Sequence, residues 1–554
     1  MAILQIKVFM ILIFFAFWSS IGFAEVYNKE YWVELTHSQH GKIEQNGHDT
    51  TYNELTELIG QRGLETACLH PARYTYLKNI YQNNLPEFDL NKCEKLQNFS
   101  RKYQTKYISL GFASEFMESP GSMFGHIFLI FHNHKNPELH SQVVHFSALA
   151  NLNEDGFFKY IFNGIGGKYN AKFFSTTLFE KINEYNQIEQ RDIYIYNLKF
   201  NSSEKKMLAY QLYELENIKF NYYFFKTNCA FFIESLINIS QGKITKSNWL
   251  YTLPYDVVRN NKTNIKSMGY FPSYKKKFDF VFRKLKKYEI EKFNKIINGK
   301  KKLRKSDSKK LKIAIFYYYQ YKFRKNRLVL PYFKENLLVA KTQNPYQKLK
   351  KKDNPLNTQS SQMIAFSSSH FQNSSKESFI YRPVLIDRFN FQKDHIVENK
   401  IFEFQVTHQN GNYSLGQLDI LKLKNFNPTT KYDRQISVDF GLGFNRLNVN
   451  EDLRPDIVFG LGQTFKNVAF YNYFLKIGFD HEFYLNPEIN IFYDFNHKSK
   501  LVFQAGQKIW EEIKMEFLEL YLNNKIQKDF EFMIFTGHDS ERKNYLGAST
   551  RLFF

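Results

Sequence analysis

The sequence predicts a mixed α+β protein in which interleaved helices and strands give way to an all-β C-terminal barrel. Three observations carry this. Near the N-terminus apolar residues fall at helical intervals, at Leu55, Leu58, Ile59, Leu64 and Leu69. From about Tyr107 short strand-like runs alternate with helical ones. Beyond residue 360 the period becomes two and remains so to the end of the chain. With 554 residues, several domains are expected.

Residues 1–24 read as a secretory signal peptide. Lys7 precedes a dense apolar run from Val8 to Trp18, and Gly22 and Ala24 place small residues before a cleavage at Glu25. The run is shorter than the roughly 20 residues a spanning helix needs, and no later stretch is long and apolar enough to span. Residues 25–104 form a helical N-terminal module, with a helix starting at His70-Pro71-Ala72-Arg73-Tyr74. The exported chain keeps three cysteines: Cys68, Cys93 and Cys229. An odd count in an oxidising compartment leaves one thiol over. Cys68 and Cys93 are close in sequence and pair as a disulfide, which leaves Cys229 free.

Residues 105–250 read as one α+β domain. Tyr107–Phe112, Ile127–Phe131, Val143–Ala148 and Ile193–Leu198 are its strands, and Gly164, Gly166 and Gly167 mark a tight loop. Ser202-Ser203-Glu204 opens a helix to about Asn217, and Cys229 opens the next. Residues 251–354 read as a basic helical connector, with lysine runs at 275–277, 284–287, 300–302 and 350–352. These runs suit solvated helix faces, or contact with an anionic membrane surface. The formal net charge of +22 agrees with either, and an exported chain without a nucleic-acid motif is not expected to bind nucleic acid.

Residues 355–554 carry about twelve runs of period two, separated by turn residues. Ile457, Phe459 and Leu461 alternate with Val458, Gly460 and Gly462, and the chain ends on an amphipathic run closing at Phe554. Together with the signal peptide, this favours a small outer-membrane barrel over a soluble one.

The chemistry rests on two segments about a hundred residues apart. In the first, Ser119-Pro120-Gly121 leads through Gly125 to His126 and an apolar strand. In the second, Asn228-Cys229 opens an apolar helix. A helix N-terminus stabilises a thiolate, and its free N–H groups stabilise an oxyanion. Cys229 is the candidate nucleophile and His126 the candidate base. Asn228 would add a donor or fix the turn. A third polar group orients the base, with His145 chosen and Ser147 as alternative. No metal or other cofactor is expected, because His126 and Cys229 lack a ligand set around them.

His before Cys, with Asn-Cys opening a helix, resembles circularly permuted papain-like (NlpC-like) enzymes. The closer resemblance is to the periplasmic domain of Lnb-type bacterial lipoprotein N-acyltransferases. It rests on Glu118–Leu129, Gly164–Tyr169, Glu184-Tyr185-Asn186, Arg191-Asp192, Asn221–Phe225 and Asn228-Cys229-Ala230, in order across roughly 107–240. Cys68–Tyr74 resembles the flanking module of the same proteins. The resemblance implies that Cys229 takes a fatty acyl chain from a phospholipid as a thioester, and that a lipoprotein's N-terminal amine accepts it. Family members that define the activity carry transmembrane helices after this domain, whereas this chain carries β-rich sequence. A cell-envelope cysteine hydrolase (peptidase, amidase or phospholipase) and a non-catalytic outer-membrane barrel protein are the competing readings.

Overall fold

The computed structural model describes residues 43–45, 48–50, 52–81, 85–115, 124–150, 152–216, 218–243, 251–340, 354–357, 359–371, 374–389, 396–446, 452–511, 513–540 and 543–554. The expected signal peptide and the Ser119-Pro120-Gly121 segment lie outside these residues. The chain divides into two units, Met1–Leu356 and Asn357–Phe554.

The first unit opens with a short hairpin, Ile43–Gln45 against His48–Thr50, where helix was expected. Four helices follow: α1 (Tyr52–Arg62), α2 (Leu64–Leu69), α3 (Pro71–Tyr81) and α4 (Glu94–Ser100). Leu55, Ile59, Leu77 and Leu96 form their shared core. Leu69 lies outside it, 49% exposed, because α2 ends there and the chain turns at His70. Cys68 and Cys93 are joined by a disulfide with Cα atoms 5.5 Å apart, which ties α2 to the start of α4.

Seven antiparallel strands form the central sheet: β1 (Tyr107–Ala113), β2 (His126–His132), β3 (Gln142–Ala148), β4 (Tyr169–Thr177), β5 (Ile193–Leu198), β6 (Phe220–Tyr222) and β7 (Ile265–Phe271). Their order is β6-β4-β3-β2-β1-β5-β7. Between them lie α5 (Phe157–Ile165), α6 (Ser202–Leu215), α7 (Cys229–Ser240) and α8 (Pro254–Asn260). A capping box of Asn201 with Glu204 starts α6. Side chains alternate across a strand, and β2 shows it. Ile127, Leu129 and Phe131 share a core with α7, whereas Phe128 and Ile130 pack on the other face with Leu178, Ile182 and Tyr185.

The sheet runs past residue 250, since β7 pairs with β5 through Tyr194 and Tyr270. Helices α9 (Tyr274–Phe282), α10 (Lys287–Ile297), α11 (Lys309–Asn326) and α12 (Phe333–Ala340) complete this unit. The first connector lysine run, 275–277, is engaged within it. Lys276 sits 2.8 Å from Asp192, and Lys277 lies over the rings of Tyr274 and Tyr317.

The second unit is a closed barrel. Its strands are β8 (Met363–Phe371), β9 (Ser374–Arg382), β10 (Val384–Ile386), β11 (Ile396–Gln409), β12 (Asn412–Phe426), β13 (Ser437–Asn445), β14 (Arg454–Lys466), β15 (Phe470–Phe479), β16 (Phe483–Asp494), β17 (Ser499–Ile509), β18 (Lys514–Gln527), β19 (Phe530–Asp539) and β20 (Lys543–Phe553). Twelve of them form the ring, which closes through β8 with β20 and β9 with β11, while the short β10 pairs only with β11. Closure leaves no unpaired edge, the condition for crossing a bilayer with strands. Along β15, Tyr471, Tyr473, Leu475, Ile477 and Phe479 are outward and exposed, while Asn472, Phe474 and Lys476 are buried inside. An apolar exterior around a polar interior is the pattern of an outer-membrane barrel. Among the described residues no helix is long and apolar enough to cross a membrane.

One buried ion pair ties the helical module to the sheet domain. Glu214 of α6 accepts the Ala72 N–H at 2.6 Å, the Arg73 N–H at 3.2 Å and Arg73 Nε at 2.6 Å. Arg73→Met would strand this carboxylate, and removing one partner of a buried pair costs about 3–5 kcal/mol. The first thermal transition of the detergent-solubilised protein should therefore fall by several degrees. An unchanged transition would show that the pair does not hold the module in place.

Candidate active site

Asn228 is the N-cap of α7. Its Oδ1 accepts the N–H groups of Ala230 at 2.9 Å and Phe231 at 3.2 Å. Its Nδ2 donates to the carbonyls of Thr252 at 2.8 Å, Phe224 at 3.0 Å and Phe225 at 3.4 Å. Both ends of the amide are thus occupied, and the Ala230 and Phe231 N–H groups are taken by the cap. The loop leading to Asn228 is seated on the predicted glycine turn. Phe224 N–H donates to Gly164 O at 2.9 Å, and a Cβ at Gly164 would lie 2.2 Å from the Phe224 ring. Gly167, at φ +69°, leaves the same room for the Tyr223 ring.

Cys229 is buried, 4% exposed, and is the free cysteine. Burial pushes its thiol up to about 11, against the opposing pull of hydrogen bonds from the Ile127 backbone and the Tyr222 hydroxyl and of the Arg191 charge. Tyr222 is bonded to both the sulfur and the backbone of Cys229. At rest Cys229 is therefore a thiol held between β2 and β6, the strand that carries Tyr222.

His126 begins β2, directly after Gly125. At φ +93°, with Phe112 and the Ala113 carbonyl within 3 Å of where a Cβ would lie, only glycine fits there. The His126 ring lies 5.6 Å from Tyr185 and 6.1 Å from His145. It thus belongs to the face of β2 opposite α7. The structure brings His126 and Cys229 to the same end of β2, because the Ile127 backbone bonded to the sulfur follows His126. No hydrogen bond joins the two side chains among the described residues, and the buried His126 Nε2 has no partner there. Burial depresses the His126 imidazole well below its ordinary value, and His145, Lys181 and Arg191 push the same way.

His145 Nδ1 sits 3.0 Å from Ser147 Oγ, so the two candidate orienters bond to each other. The His145 ring stacks on Phe174 at 5.4 Å. Burial, and then the Lys181 charge, lowers His145 to about 3.

Sequence reasoning gave no role to the groups that surround these four residues. Tyr185 lies on a π-helical segment, Ile182–Ile188, between two cations. Lys181 Nζ is 4.9 Å and the Arg191 guanidinium 4.8 Å from its ring centre. Both cations are paired, Lys181 with Glu184 at 2.7 Å and Arg191 with Glu189 at 2.9 Å. Arg191 also donates to the carbonyls of Ser114 at 2.5 Å and Ala113 at 3.1 Å, bracing the end of β1. Tyr185, Arg191 and Tyr222 all fall within the segments that carry the family resemblance, and that was the available signal. Of the aromatics flanking Cys229, Phe232 is core, its ring 4.0 Å from Phe146.

Residues 95–264 match the family model of the Lnb N-terminal periplasmic domain. No curated protein matches the chain. Among solved structures the chain is similar to the KdgM porin, at 10% identity and a TM-score of 0.26, over 35% of this chain and 99% of that one. It is also similar to an outer membrane channel from Pseudomonas putida F1, at 9% identity and a TM-score of 0.26, over 38% of this chain and 99% of that one. The NanC porin is a third, at 8% identity and a TM-score of 0.24, over 35% and 98%.

Two measurements probe the site at rest. A thiol raised from 9.0 to about 11 holds about 100-fold less thiolate at neutral pH. Iodoacetamide should modify Cys229 at least that much more slowly than free cysteine; an equal rate would show that burial does not raise the thiol. The second is pH dependence. His70 and His145 are both lowered from 6.5 to about 3, so they bind protons more readily in the unfolded chain. Their contribution is complete above pH 6.5 and is lost as pH falls toward 3, at up to about 1.4 kcal/mol per unit for each. Melting curves should shift downward from pH 7 to pH 5, and His145→Gln should flatten that slope. A wild-type melting temperature constant over this range would contradict the burial of these imidazoles.

Proposed function

With residues 95–264 matched to the Lnb N-terminal periplasmic domain, we propose that this envelope protein is a thiol acyltransferase anchored by an outer-membrane barrel. Cys229 takes a fatty acyl chain from a phospholipid and passes it to the N-terminal amine of a lipoprotein. The observation that carries this reading is the convergence on the Cys229 sulfur of the Ile127 backbone N–H and the Tyr222 hydroxyl, at the start of a capped helix.

In the first half-reaction the sulfur attacks the ester carbonyl carbon. The S–C bond forms, the ester C–O bond breaks, and the thiol proton passes through His126 to the departing lysophospholipid oxygen. Proton transfer requires the His126 ring to come within hydrogen-bond reach of the sulfur. The Ile127 N–H and the Tyr222 hydroxyl, bonded to the thiol at rest, would serve as donors to the developing oxyanion. In the second half-reaction the acceptor amine attacks the thioester carbon. The N–C bond forms, the S–C bond breaks, and the surplus amine proton returns to sulfur through His126. A buried sulfur excludes water, which favours an amine acceptor over hydrolysis. His145 stays neutral and, with Ser147, packs beside His126 as a positioning residue.

The missing Cys229–His126 hydrogen bond favours one competing reading, an inert domain carried on a barrel. Intact-protein and peptide mass spectrometry of the full chain incubated with phospholipid separates the two. A hydroxylamine-sensitive acyl adduct on Cys229, absent in Cys229→Ala, is expected. Tyr222→Phe should form it about 100-fold more slowly, the effect of losing one oxyanion donor. Adding a diacylglyceryl-cysteine peptide should discharge the adduct as an amide; release as free fatty acid would instead mark a hydrolase. No adduct and no phospholipid turnover would leave the inert domain.

A further inference from the structure

The barrel interior holds a feature that the chemistry at Cys229 does not use. Between β10 and β11 the chain folds inward, so that Asp387 is 1% and Phe389 7% exposed. Three consecutive residues are fastened to walls all round the ring. The Asp387 carboxylate meets Arg551 of β20, and Arg382 of β9 at 3.6 Å. Arg388 Nη1 donates to Gln504 Oε1 of β17 at 2.7 Å, and its Nε lies 3.6 Å from Glu398 of β11. The Arg388 carbonyl accepts Lys500 Nζ of β17 at 3.1 Å. The Phe389 ring stands edge-on to Tyr521 of β18 at 5.3 Å, with the Arg551 guanidinium at the same distance over it.

Phe389 also belongs to a buried apolar cluster with Phe426 of β12, Phe470 and Phe474 of β15, Phe492 of β16 and Val502 of β17. Met533 of β19 and Tyr521 pack against the same cluster. A segment whose three residues are fastened directly to β9, β11, β17, β18 and β20 stands across the lumen and not along its wall. Four buried charges close a further part of the interior. Lys424 and Lys476 each bond to Glu488, and they lie 3.3 Å and 3.5 Å from Asp439.

We infer that Asp387–Phe389 is a built-in plug that seals the barrel, which therefore anchors the protein and does not conduct. Water and ions crossing it would have to break a desolvated ion-pair network and an aromatic cluster together, and buried charges stripped of one partner are costly. The lumen contents thus distinguish this barrel from an open channel of similar strand number.

The test is planar-bilayer conductance of the purified full-length protein, with its heat-modifiable gel mobility as the check on barrel folding. The wild type should give no channel steps. Arg388→Ala/Phe389→Ala, which removes the two side chains spanning the lumen, should give discrete steps while keeping its folded mobility. Should that pair not fold, Phe389→Ala alone makes the same comparison, with smaller or rarer steps expected. Wild-type steps as large as those of the variants would overturn the plug, as would folded variants that stay silent.

Discussion

The site depends on one amide. Asn228 makes five hydrogen bonds, two to the first turn of α7 and three to carbonyls of the incoming loop and of Thr252. Without it, two helix N–H groups and the Phe224 and Thr252 carbonyls would lose a partner in a buried place, at a cost of about 1–3 kcal/mol for each group left unsatisfied, whereas the Phe225 carbonyl still accepts the Thr252 N–H. That network fixes where α7 begins, and hence where Cys229 sits against Ile127. The glycine turn serves the same end from the other side, since Gly164 and Gly167 exist as open space for Phe224 and Tyr223, the residues that lead into the cap. An aspartate could accept the two N–H groups but could not donate to the three carbonyls, so the requirement is for an amide and not for a helix cap in general.

The barrel answers a different constraint with the same logic. Its outer surface must be apolar, so the polar residues of each strand turn inward and must find partners there. Asp439 and Glu488 sit between Lys424 and Lys476; Glu531 pairs with Arg551 at 2.9 Å. Part of the basic excess in the sequence is therefore spent inside the lumen, and net charge alone says little about which surface meets a membrane. In the first unit Lys276 is likewise committed to Asp192, and that carboxylate also receives the Tyr270 hydroxyl.

Much of this was legible because it is periodic. Alternation at Ile457–Leu461 gave the outward face of β14, and the run of about twelve strand signals gave the ring. Cysteine parity gave both the disulfide and the free thiol. What stayed hidden depends on register and on contacts distant in sequence. An apolar run such as Ile127–Phe131 reads alike on either face, so nothing local says that His126 turns toward Tyr185 and not toward α7. Tyr222 is one aromatic among several in its segment, and only the pairing of β6 with β4 brings it to the sulfur. The seventh strand, Ile265–Phe271, is hidden because Lys266, Ser267 and Gly269 interrupt its apolar character; its pairing with β5 is a tertiary choice. Asp387–Phe389 carries no signal beyond being a loop, since its meaning comes from the strands around it.

The resting electrostatics bear on how such a site would be switched on. A thiol near 11 and an imidazole far below 6.5 cannot exchange a proton spontaneously, because each group is held in its neutral form by burial. In a papain-like pair poised for solvent-borne substrates the two would form an ion pair at rest. Here the neutral pair suits a substrate whose arrival changes the surroundings. In the proposed reaction a phospholipid would bring an ester carbonyl for the sulfur to attack and an anionic headgroup, which would offset the Lys181 and Arg191 charges that help keep His126 neutral. Under that proposal, raising the imidazole and consuming the thiol proton would happen in one event, with no reactive thiolate waiting beforehand. The same burial that makes Cys229 inert alone would make the proposed thioester resistant to water, so the property that looks unfavourable in the first proposed half-reaction would protect the second.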